Sequence, residues 1–67
     1  MINERLFKSK MKLYGDTQES LAENLGICYT TLNRKIRGAG DFVQSEIKSI
    51  AVKYELTPEE LEEIFFA

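Results

Sequence analysis

Residues 17–38, TQESLAENLGICYTTLNRKIRG, limit what this chain can fold into more than any other stretch. Leu21, Ala22 and Leu25 stand at i, i+1 and i+4, on one side of a short helix, and Leu32 with Ile36 repeats that face in a second helix. Between them lies Leu25-Gly26-Ile27. Glycine takes positive φ without a Cβ clash, so the chain can leave the first helix and turn at once into the second. The expectation is two brief helices that share a buried side across a tight turn.

The second helix is distinguished by what it leaves outside. Thr30, Asn33, Arg34 and Arg37 recur at i, i+3, i+4 and i+7, with Tyr29 at the leading end, opposite Leu32 and Ile36. Such a stripe of hydrogen-bonding and cationic side chains suits a DNA major groove. Here the chain resembles the phage repressor and Cro-type helix-turn-helix family. The family's Thr-Gln pair, the Leu-Ala that follows in the same helix and the Gly at the turn are matched by Thr17-Gln18, Leu21-Ala22 and Gly26. The likeness is close over these 22 residues and extends loosely to the rest as a five-helix domain.

The resemblance implies an all-α fold and a recognition helix over about 29–37. Residues near the start of that helix reach deepest in the family, so Tyr29, Thr30 and Arg34, followed by Thr31 and Asn33, are the expected base readers. Arg34 suits a guanine, Asn33 an adenine and the Thr30 methyl a thymine. Gln18, Lys35 and Arg37 are the expected phosphate contacts, which position a protein without reading sequence. A phage or prophage origin is implied by the resemblance alone.

Net charge of −2 weighs against a nucleic-acid partner until its distribution is considered. Residues 1–40 carry seven basic against four acidic side chains, and residues 41–67 carry two against seven. A basic end can coexist with an acidic rear, because charges at a surface are screened beyond about 10 Å at 0.1 M salt. With 67 residues there is room for one domain, spanning 1–67, which buries only about 60% of its unfolded surface and would gain from dimerisation. No apolar run approaches the ~20 residues of a membrane span, and the N-terminus lacks a signal-peptide core, so a cytoplasmic location is expected with no membrane partner. One Cys and no His leave no disulfide and no structural zinc set, and no cofactor is expected.

In chain order, helix 1 is expected over about 3–14, with Phe7, Met11 and Tyr14 inward, Leu6 alongside, Arg5, Lys8 and Lys12 outward and Gly15 ending it. The family usually has an apolar residue before the Thr-Gln pair, and here it is Asp16, expected to be exposed or to help Thr17 cap helix 2 over 18–24. Cys28 stands where a capping Ser or Thr is usual and reads as a structural substitute that caps poorly. Asp41 is the expected cap of helix 4, whose inner face reads Val43, Ile47, Ile50, Ala51 and Tyr54. Thr57-Pro58-Glu59-Glu60 supplies an N-cap, Pro at N1 and Glu at N3, a capping box that starts helix 5. Helix 5 has more large apolar residues than one face of two turns needs, so Leu61, Phe65 and above all Phe66 are expected at a homodimer interface.

These readings converge on a sequence-specific regulator binding double-stranded DNA as a homodimer on a pseudo-palindromic operator, with half-sites ~34 Å apart. A second reading keeps the scaffold but turns it to docking on another regulator, as an antirepressor would, and draws on the acidic C-terminal half and the apolar LEEIFFA end. A third, a DNA-binding part of a longer repressor, differs only in where dimerisation resides. An enzyme with a small-molecule substrate is not expected: there is no His, no Gly-rich phosphate loop and little room for a ~300 Å³ pocket beside a core.

Overall fold

The computed structural model describes residues 2–66, and among them it is all-helical. Five helices follow in order: α1 (Glu4–Leu13), α2 (Gln18–Leu25), α3 (Tyr29–Ile36), α4 (Gln44–Lys53) and α5 (Pro58–Phe65). The expected all-α, five-helix architecture is what the chain forms.

Local chemistry accounts for most of the boundaries. Asn3 caps α1 by accepting the Leu6 N–H at 3.1 Å, and its own N–H donates to the Ile64 carbonyl at 2.6 Å, which ties the start of α1 to α5. Thr17 caps α2 through the Ser20 N–H, while Ser20 Oγ accepts from the Thr17 N–H, so Ser takes the return arm that Glu or Gln usually fills. Gly26 closes α2 at φ 71°, and the Ile27 N–H then reaches back to the Ala22 carbonyl at 3.0 Å. A side chain at Gly26 would meet no neighbour, so the requirement for glycine is the left-handed backbone alone. Thr57 and Glu60 form the expected box around Pro58.

Helix α4 begins differently from the expectation. Val43, not Asp41, occupies the N-cap, and the Glu46 carboxylate accepts the Val43 N–H at 2.9 Å. Valine has no acceptor of its own, so only half of a capping box exists. Val43 is therefore 53% exposed rather than part of the inner face.

The core gathers one or two residues per helix: Phe7 and Met11, Leu21 and Ala22, Leu32 and Ile36, Ile50 with Tyr54, and Ile64 with Phe65. Phe7, Phe42 and Phe65 meet ring to ring at 5.4–5.9 Å, stacked or edge-on, and hold the α3–α4 connection against α1 and α5. Phe65 is thus committed to the interior and is unavailable to a partner chain. Leu61 is half-buried against the same core. Of the three side chains expected at a dimer interface, Phe66 is the exposed one, at 64%. Tyr14 is 42% exposed yet lies on the Tyr54 ring at 5.2 Å and donates to Glu55.

Asp16 is neither a bystander nor a simple cap. It accepts from the Tyr54 hydroxyl at 2.7 Å and from Ser20 Oγ at 2.9 Å, and the Lys53 ammonium lies 3.4 Å away. The α1–α2 turn is thereby fastened to the end of α4. Burial pushes the Asp16 carboxyl up, but the hydrogen bonds and the lysine outweigh it and hold the group below the usual range. Burial, and then the bond to Asp16, drives the Tyr54 hydroxyl well above its ordinary range. The signs are opposite. Asp16 adds stability that is present above the ordinary aspartate range and lost as pH falls through its folded value. Tyr54 adds stability present below the ordinary tyrosine range and lost as pH rises beyond it. Thermal stability followed against pH should therefore weaken at both ends, and Tyr54→Phe should reduce the alkaline loss while costing about 1.5–3 kcal/mol at neutral pH, the worth of a bond to a charged acceptor.

Candidate nucleic-acid interface

Helices α2 and α3 pack on each other across Gly26-Ile27-Cys28, and that contact sets which side of α3 faces outward. Leu32 and Ile36 are fully buried. At about 100° per residue, Arg34 stands about 180° from the midpoint of those two anchors, with Thr30, Thr31 and Arg37 within about 60° of it. Thr30, Arg34 and Arg37 are exposed, and Thr31 is half-buried. Tyr29 projects from the first turn and is 48% exposed. Four of the expected contact residues thus share one outward surface, and Tyr29 lies at its leading edge, turned toward the buried side of the helix.

The remaining three are engaged within the protein. Asn33 and Lys35 each lie about 80° from the buried midpoint, on opposite flanks of the helix, where neighbouring helices can reach them. On one flank Gln18 Nε2 donates to Asn33 Oδ1 at 3.2 Å. Bidentate reading of adenine by Asn33 needs that carbonyl oxygen, so a base contact there must share it with Gln18. The pair joins the N-terminus of α2, with its positive dipole end, to the outward stripe of α3.

On the other flank the Lys35 ammonium meets both Glu46 oxygens, at 2.6 and 2.8 Å, and lies 5.9 Å from the Phe42 ring centroid. The Lys35 and Glu46 side chains retain only 14% and 10% of their accessible surface. Lys35, expected at a phosphate, has its charge neutralised inside the domain, where it fixes the end of α3 to the start of α4. The angle to Leu32 was the sequence signal for this, and the partner eleven residues on was not.

Between these flanks lies a recess of about 140 Å³ lined by Thr31, Arg34, Lys35 and Gly40. Cys28 gives α3 no side-chain cap and is exposed, with its sulfur 3.0 Å from Thr31 Oγ1. That hydrogen bond, and then one to the Thr31 backbone, brings the thiol below its usual range. Glu4, at the start of α1, is held low mainly by Lys8, whose ammonium lies 2.8 Å away. Among the described residues no group of three or more His, Cys, Asp or Glu side chains is placed to hold a metal, and no helix is long and apolar enough to cross a membrane. Compared with protein-family models, curated proteins and solved structures, the chain matches none.

Proposed function

We propose that the protein is a sequence-specific, non-enzymatic DNA-binding regulator of the cytoplasm. Helix α3 enters a major groove of double-stranded DNA in the manner of the phage repressor and Cro-type helix-turn-helix proteins, and two copies occupy a pseudo-palindromic operator. The observation that carries this reading is the orientation of α3. Two fully buried anchors, Leu32 and Ile36, oblige Thr30, Arg34 and Arg37 to project where a duplex can meet them. Arg34 supplies a bidentate fork for guanine, Thr30 and Tyr29 supply contacts beside it, and Arg37 with Gln18 supplies backbone contacts.

Neutralising Lys35 lowers the cationic count of the face, so few phosphates are contacted and a modest salt slope is expected. Duplexes selected from random sequence should bind with an affinity that falls between 50 and 200 mM salt, with a log–log slope of about −0.9 per phosphate contacted. Arg37→Ala should flatten that slope by about one contact while leaving sequence preference intact. Absence of binding at low salt would reject the DNA reading in favour of docking on another regulator.

A further inference from the structure

An open groove of about 590 Å³ runs between the C-terminal end of α2 and the outer face of α4, away from the α3 stripe. Leu25 and Val52 give it apolar walls, and Val52 is 74% exposed. Lys48 and Lys53 border it. Lys53 is shared with Asp16, whereas no carboxylate lies within 4 Å of the Lys48 ammonium among the described residues. The groove is apolar with a free positive edge.

The opposite arrangement stands on α5. Glu59, Glu62, Glu63 and Phe66 fall at i, i+3, i+4 and i+7, all are exposed, and none of the three carboxylates has an ion-pair partner among the described residues. On α4, Ser45, Lys48, Ser49 and Val52 fall at the same i, i+3, i+4 and i+7. Both stripes therefore rise over about 10 Å of helix. Laid side by side in parallel, they set Glu62 and Glu63 against Lys48 and the Phe66 ring against Val52 and Leu25.

We propose that the α2/α4 groove receives the acidic stripe and the Phe66 ring of α5 from a second copy of this chain, in a head-to-tail contact. The contact is separate from the two-fold pairing on an operator proposed above, and it gives Phe66 its seat. Because donor and acceptor surfaces differ, the contact is heterologous and each chain can give one and receive one. Opposite charges across it make the association weaken as salt rises.

Sedimentation of the full chain from about 10 µM to 1 mM, at low and high salt, reads the contact, with the stated range covering weak association. Lys48→Glu blocks the groove, and Phe66→Ser removes the occupant; both positions are exposed, so both variants should fold. Each alone should associate at least about tenfold more weakly than the unaltered chain. Mixed in equal amounts they should form a discrete one-to-one dimer, since the Lys48→Glu chain still offers its α5 and the Phe66→Ser chain still offers its groove. A chain that stays monomeric throughout, association that Lys48→Glu leaves unchanged, or a mixture that fails to form the dimer would each overturn the proposal, the second being the sign of a symmetric Phe66-to-Phe66 dimer. Binding to a duplex with a single half-site should be the same in both variants as in the unaltered chain. Failure of the unaltered chain to bind that duplex would count against the DNA reading and not against this contact.

Discussion

Glu46→Ala is expected to destabilise the protein by about 3–5 kcal/mol, because it leaves the Lys35 ammonium enclosed without its counter-charge. Both oxygens of Glu46 meet that ammonium and one also accepts the Val43 N–H, so a single truncation removes the ion pair and the side-chain partner of the Val43 N–H at the start of α4. A core drawn from a chain of 67 residues rarely supplies more than about 3–5 kcal/mol, so the variant should be largely unfolded at room temperature. Desolvating both charges also costs free energy, which gives the pair a second signature. Lys35→Met with Glu46→Leu should cost far less, about 1 kcal/mol for the Val43 N–H that Glu46 no longer accepts, because methionine and leucine occupy similar space with no charge to bury. Urea unfolding followed by circular dichroism distinguishes these cases. A loss below about 1 kcal/mol in Glu46→Ala would show that the pair is solvated like a surface bridge.

That pair also marks where sequence reasoning stopped. Features carried by neighbours in the chain were legible: the Thr57-Pro58-Glu60 start of α5, the Thr17 cap, the left-handed Gly26 and the inward face of Leu32 and Ile36. Each depends on residues within about one helical turn, where spacing and backbone geometry leave few options. Lys35 and Glu46 sit on different helices, and both looked like ordinary surface charges until α3 and α4 were brought together. From its sequence neighbours Asp16 reads as an exposed residue or a helper to the Thr17 cap. Its partners Tyr54 and Lys53 lie 38 and 37 positions further on, beyond any local rule.

Helix α5 shows the same limit from the apolar side. Ile64, Phe65 and Phe66 are equally greasy, and whether a ring goes inward depends on Phe7 and Phe42, which come from elsewhere. Once those rings meet, Phe65 is core and Phe66 is left outside. The start of α4 was misplaced for a related reason: an Asp is the better cap in isolation, but Phe42 inserts between Phe7 and Phe65 and carries the helix start past Asp41 to Val43.

Arg34→Ala is the counterpart on the functional side and is expected to cost about 1–3 kcal/mol of discrimination on the best duplex, a loss of about 5- to 150-fold, with much less effect on random duplexes. Arg34 lies opposite the buried anchors, and no carboxylate stands within 4 Å of its guanidinium among the described residues. Its charge and its five donors are therefore both free. Arg34→Lys separates the two: the charge stays, so affinity for random duplexes should hold, while loss of the planar fork should remove most of the preference. The Lys35→Met, Glu46→Leu pair completes the test, since it deletes a cation one residue away without unfolding the domain. If Lys35 is occupied by Glu46 in the bound state as in the free protein, this double variant should bind DNA within about twofold of the unaltered chain, far from the loss a phosphate contact would produce. Equal losses from Arg34→Ala and from the double variant, on every duplex and with the same salt dependence, would mean that the face acts as undifferentiated charge and that no base is read through Arg34.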